Sequence, residues 1–129
     1  MALTVLDLPP DALKKYRPLD AVRRHRQKNS LEVSKRRRRA MLVVRKAAKL
    51  LRAEYSAAKI YVFGSLARHG GFSLWSDIDI AAAGIPAKQF FEAVGVVTGL
   101  SSEFKIDLVD LGTCSPAILK SIQETGREI

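Results

Sequence analysis

Two aspartates one residue apart, Asp77 and Asp79 in "SDIDI", and a third, Asp107 in "FKIDLVDL", are the residues of this 129-residue chain best suited by type and spacing to do chemistry. Each lies in an apolar, β-branched run of the kind that forms strands. Side chains alternate across a strand, so Asp77 and Asp79 share one face while Ile78 and Ile80 take the other. The same alternation separates Asp107 from Ile106 and Leu108. If the two strands are neighbours, three carboxylates gather on one sheet face. Like charges so placed raise one another's pKa unless a cation neutralises them. Mg²⁺ is characteristically shared between one or two carboxylates and the phosphates of a substrate. The aspartates are therefore expected to form a Mg²⁺ platform, with Asp77, Asp79 and Asp107 as its ligands.

Gly64 and Ser65, directly after the run "KIYVF", supply the complementary half. A glycine at a strand end lets backbone approach a ligand closely, and a serine opening the next turn offers a hydroxyl beside free N–H groups. Such a turn suits phosphate. A metal at the carboxylates and phosphate at the Gly-Ser turn describe a bound nucleoside triphosphate, and two metals there would stabilise both entering and leaving oxygens. Asp110 is the rival third ligand, although alternation sends it to the face opposite Asp107. His69 is expected in a surface loop, Trp75 in packing rather than base stacking, and Cys114 in a loop without an activating neighbour.

These residues need a scaffold. Residues 1–30 read as a helical extension interrupted by prolines at 9, 10 and 18, and residues 31–129 as the domain proper. Asn29 or Ser30 can cap a long helix, with Glu32 in its first turn. Along it Met41, Val44, Ala48, Leu51 and Tyr55 recur at spacings of three and four, an amphipathic pattern with a basic outer face. Strands are expected at 59–63, 76–84 and 104–111. "SLARHGG" has room for one or two helical turns. Helices are expected from Pro86 and over 115–126, where Ser-Pro opens and Gly126 closes the segment. This order implies an α/β or α+β fold, one sheet with helices packed on it.

The net charge of +9 is unevenly divided: residues 1–59 hold 17 Lys and Arg against 5 Asp and Glu, and residues 60–129 hold 5 against 8. The basic half favours phosphate-rich or acidic partners. "KRRRR" at 35–39 spans more than one helical turn, so some of these stems must lie against the edge of the core. Nucleic acid is a possible partner for this run but not the favoured one; an acidic protein surface fits as well. No stretch reaches the roughly 18 apolar residues of a membrane span, the N-terminus does not read as a signal peptide, and one cysteine permits no internal disulfide. A cytoplasmic protein is expected.

The stretch "FGSLARHGGFSLWSDIDI" followed by "IDLVDL" resembles the minimal nucleotidyltransferases of the DNA polymerase β-like superfamily. Their signature is Gly-Ser, about ten residues, Asp-x-Asp on a strand, and a third Asp on a later strand. The resemblance covers roughly residues 31–129 and implies a polymerase β-like palm with a mixed sheet. It implies that Asp77, Asp79 and Asp107 are catalytic and hold metal, with Asp107 helping to deprotonate the acceptor. It further implies that Gly64, Ser65 and Arg68 hold the triphosphate of ATP. Eleven residues separate Ser65 from Asp77 where the family has ten, and His69 stands where a glycine is expected, so the insertion is placed there. Small members are often antitoxins that transfer AMP from ATP to a tyrosine of an HEPN-type toxin. The alternative is a catalytically inactive module of the same fold that neutralises a partner or binds nucleic acid through its basic helix.

Overall fold

The computed structural model describes residues 18–68 and 70–129. The chain divides into two compact units at Glu32/Val33. Of the first, the described part is helical from Pro18, with residues 22–30 exposed throughout. The helical stretch expected between Pro10 and Pro18 lies outside the described residues.

The first helix, α1, runs unbroken over Pro18–Tyr55. Asn29 and Ser30 therefore do not cap it, contrary to the expectation from sequence. Neither residue breaks a helix, since each costs only some tenths of a kcal/mol relative to alanine, and Asn29 spends its amide on the His25 ring 3.2 Å away. The helix ends where Ser56 takes a left-handed φ of 59°. There the Ala57 N–H returns to the Leu51 carbonyl at 3.2 Å and closes the helix end.

Strand β1 is Lys59–Phe63, as its β-branched and aromatic composition predicts. Residues Gly64–Leu66 form one 3₁₀ turn in place of the longer helix allowed for. Strand β2 is Ile78–Ala83, helix α2 is Ala87–Thr98, and strand β3 is Ile106–Asp110. Both strands are shorter than the sequence suggested. Helix α3 spans Pro116–Thr125, and a two-residue strand β4, Arg127–Glu128, follows it.

The sheet order is β3-β2-β1-β4. β1 pairs antiparallel with β2 and β4, whereas β2 and β3 are parallel, so the sheet is mixed. Parallel neighbours need a crossover, and α2 provides it. Ile60, Val62, Ile78, Ile80, Ile106 and Leu108 point to one face and join Val44 and Leu51 of α1 and Val97 of α2 in the main core. The alternate residues build the other face. There Phe63 and Ala81 meet Ile122 of α3, flanked by Tyr61, Val109 and Ile118.

α3 is anchored at its start: the Ser115 hydroxyl accepts the Ile118 N–H at 3.3 Å, and Pro116 fills the first helical position. Replacing Ser115 with alanine should cost about 0.5–1 kcal/mol, as loss of a long, exposed cap does. A urea midpoint unchanged by the substitution would show that the cap is idle.

Candidate functional site

The second sheet face is where the aspartates lie. Register pairs Asp79 with Asp107 across the parallel β2–β3 ladder and with Phe63 across the antiparallel β1–β2 ladder. Register partners project to the same side, so Asp79 and Asp107 stand next to each other on this face. Both are half-buried. Asp77 is exposed and lies one residue before β2, not on the strand as expected, because the ladder begins only at Ile78.

The three charges are felt at one point. Burial pushes the Asp79 carboxyl above the usual carboxylate range, and the neighbouring Asp107 and Asp77 push it further, while Lys105 opposes them. Negative charge is thus in excess, and a cation would relieve it. Among the described residues, no three His, Cys, Asp or Glu side chains form a grouping able by itself to hold a metal ion. The aspartates are neighbours, not a closed ligand cage. An open set suits an ion that completes its shell with water and substrate phosphate.

Gly64 joins the two halves of the site. It follows β1 directly, beside the β2 end that carries Asp79, and its φ is +70°. A Cβ at this position would run into Asp79 Oδ2. Only glycine lets the carboxylate lie against this backbone. The Ala67 and Arg68 N–H groups both return to the Gly64 carbonyl at 3.2 Å, which closes the turn tightly. Ser65 is half-buried within it.

Arg68 is exposed and turned along Gly71, where an added Cβ would stand 3.4 Å from the Arg68 Nε. The structure brings Gly64 to Asp79 but joins Arg68 to none of the three carboxylates by an ion pair. His69 lies outside the described residues.

Asp110 ends β3 and serves its own turn: its carboxylate accepts the Gly112 N–H at 3.1 Å and faces the Thr113 hydroxyl at 3.5 Å. Trp75 corrects the reading from sequence, being 88% exposed in a turn rather than a packing residue. That turn is stiffened by Ser73 and Ser76, whose hydroxyls are 3.0 Å apart, with the Ser73 N–H donating to Ser76 Oγ at 2.9 Å. Lys105, just before β3, is the residue that reading by carboxylates alone overlooks. Its place two residues before Asp107 in "FKIDL" was the available signal. Cys114 sits half-buried in the turn after β3.

The sequence model of the family described as polymerase beta, nucleotidyltransferase matches residues 45–129, well over half of the chain. A comparison with curated proteins gave no match. Solved structures do. A tri-AMPylated Shewanella oneidensis HEPN toxin in complex with MNT antitoxin matches at 27% identity and TM-score 0.52, covering 69% of this chain and 70% of that one. The MntA-HepT toxin–antitoxin matches at 26% identity and TM-score 0.51, covering 68% and 69%. A toxin–antitoxin with AMP-PNP matches at 27% identity and TM-score 0.51, covering 65% and 69%. The match over residues 45–129 takes in the Gly-Ser turn, all three aspartates and the whole mixed sheet, and by it the chain belongs to the polymerase beta nucleotidyltransferase family.

Proposed function

We propose that this chain transfers AMP from ATP to a hydroxyl of a partner protein, and that the partner is an HEPN-type toxin which the transfer silences. One observation carries the enzymatic part: Asp79 is register-paired with Asp107 while its carboxylate lies against the Gly64 backbone, so charge site and anion turn form one surface. The partner is suggested by the similar structures, one of an AMPylated HEPN toxin with an MNT antitoxin and one of a toxin–antitoxin with AMP-PNP.

In this reading Asp77, Asp79 and Asp107 would hold Mg²⁺, which would supply charge neutralisation to the triphosphate. Gly64 and Ser65 receive the phosphate oxygens, and Arg68 reaches the same chain of phosphates from the loop. The acceptor oxygen bonds to the α-phosphorus as the bond to pyrophosphate breaks, and Asp107 takes the acceptor proton. Catalysis then consists of positioning and charge complementarity. No helix among the described residues is long and apolar enough to cross a membrane.

The test is incubation with α-labelled ATP, Mg²⁺ and the candidate toxin. Label should appear on a toxin tyrosine. Asp107→Asn should reduce it by about a hundredfold or more, and Asp110→Asn, which keeps a turn-capping oxygen, should leave it within a few-fold of wild type. A tight complex that never acquires label would replace the enzyme with a stoichiometric binding module.

A further inference from the structure

We infer that Arg36 is a positioning residue for this site, a part-buried guanidinium that ties together the two loops from which the aspartate strands start. The inference rests on the nucleotidyl-transfer reading for its consequence, not for its geometry. Arg36 lies four residues before the buried Ala40 and eight before the buried Val44, on the core-facing stripe of α1. Its side chain is only 14% exposed.

Each end of that guanidinium meets a different loop. Nη2 donates to the Ser76 carbonyl at 3.1 Å, which belongs to the peptide leading into Asp77. The guanidinium lies over the Phe104 ring, 4.3 Å from its centre, three residues before Asp107. Phe72, at the start of the other loop, is 5.9 Å away. Nη1 is 3.8 Å from Glu103, whose carboxylate Arg39 fixes at 2.8 and 3.0 Å. Cations over aromatic faces at these distances attract them, the more so when desolvated.

Asp77 is the candidate ligand that depends on this clamp. Asp79 and Asp107 are set by ladder register, but Asp77 is exposed and precedes the ladder. Its placement comes from the turn at 73–76, and Arg36 holds the last carbonyl of that turn. The Ile78 N–H then bonds to the Lys105 carbonyl at 2.9 Å, joining the same two loops one step later.

Stability alone is a poor reason for such a group. Arg36 Nε is buried without a hydrogen-bond partner, and the ion pair to Glu103 is long, at 3.8 Å, and reaches an exposed carboxylate, a kind of pair that adds little to stability. Methionine could fill the slot between the two rings. It could not hold the Ser76 carbonyl.

The experiment compares wild type, Arg36→Met and Arg36→Lys, with the exposed Arg38→Met as control. Trp75 is the single tryptophan of the chain and precedes Ser76 directly, so its fluorescence anisotropy reports the turn. Arg36→Met should stay folded, lose Trp75 anisotropy, exchange amides 76–79 at least tenfold faster, and bind Mn²⁺ more weakly. Its kcat for transfer should fall about a hundredfold with the KM for ATP little changed, the signature of misplacement rather than lost binding. Lysine should restore part of the loss, since it reaches a carbonyl but cannot span both rings; it also serves as the readable variant if methionine prevents folding. Wild-type exchange at 76–79 and wild-type Mn²⁺ affinity in the substituted chain would overturn the inference, whatever its activity. If wild type itself transfers nothing while the exchange and Mn²⁺ results hold, the clamp stands and nucleotidyl transfer falls. Equal transfer by wild type and Arg36→Met, even with exchange and Mn²⁺ affinity altered, would overturn the positioning role while leaving nucleotidyl transfer intact.

Discussion

Replacing Asp79 with asparagine is expected to make the protein more stable at neutral pH while abolishing transfer. Asp79 is half-buried on β2, and its carboxyl is pushed up first by burial and then by Asp107 and Asp77, with Lys105 only partly compensating. The unfolded chain releases this proton near the ordinary aspartate value of about 3.9, whereas the folded chain holds it to higher pH. Between those two values the native state binds more protons than the unfolded state, so stability falls as pH rises through the window. Above the folded pKa the full penalty of the ionised group remains. Asparagine carries no charge and escapes it. Urea midpoints should therefore favour Asp79→Asn at pH 7, and the difference should close below about pH 3.9, where the native carboxyl is neutral as well. A wild-type chain more stable than the variant at pH 7 would contradict the assignment of Asp79 as a charge held at a cost.

The same substitution removes the centre of the carboxylate group, and transfer should drop by about a thousandfold, or ~4 kcal/mol of transition-state stabilisation. A divalent ion should close the thermodynamic cycle. Mg²⁺ at about a hundred times its dissociation constant should stabilise wild type by ~2.7 kcal/mol, and Asp79→Asn by much less. Stability lost to a functional charge and regained on binding is the pattern expected of a site under selection for activity.

The placement of the candidate site residues was legible in the sequence wherever local rules decide the outcome. Alternation along "SDIDI" and "FKIDL" separates carboxylates from isoleucines irrespective of what surrounds them, and the change from helical to strand pattern at Lys59 put β1 at its observed limits. Pairing was not legible in that way. That Asp79 meets Asp107 rather than Val109 is set by the crossover through α2, and a two-residue slip, which keeps every side chain on its face, is invisible in either strand alone. The same limit hid β4. Two residues carry no period, and Arg127–Glu128 becomes a strand only because Tyr61 and Val62 offer a free edge. Asp77 falls outside β2 because pairing begins only at Ile78, a limit set by the neighbouring strand.

Helix phase explains the other omission. Five basic residues in a row announce that some stem must be buried without saying which. Extending the expected stripe backward from Met41 points to Arg37 or Arg38. Met41 is in fact half-buried at the margin of the core, and the buried stripe passes through Ala40 and Arg36. A shift of one residue, about a quarter of a helical turn, separates Arg37 from the arginine whose guanidinium meets two phenylalanine rings.

Gly64→Ala should separate backbone cost from site geometry when it is compared with Gly70→Ala. The two glycines have nearly the same left-handed conformation, φ +70° and +72°. Alanine there costs about 1–2 kcal/mol, so both variants should lose similar stability on that account. Their surroundings differ. An added Cβ at Gly70 meets nothing within 4 Å, whereas at Gly64 it collides with Asp79 Oδ2 and stands 3.3 Å from Asp79 Cγ. The obstructing atoms belong to the end of a side chain, so the collision is relieved most cheaply by rotating Asp79. That rotation takes the carboxylate out of line with Asp107. Gly64→Ala should therefore lose transfer by about a hundredfold or more, as misplacement of a reacting group by an ångström does, while Gly70→Ala retains most of it. Parallel urea titrations and transfer assays on the pair decide the matter. Equal activity in the two variants would mean that contact between the Gly-Ser turn and Asp79 has no part in the chemistry, and that the turn and the carboxylates work as separate features.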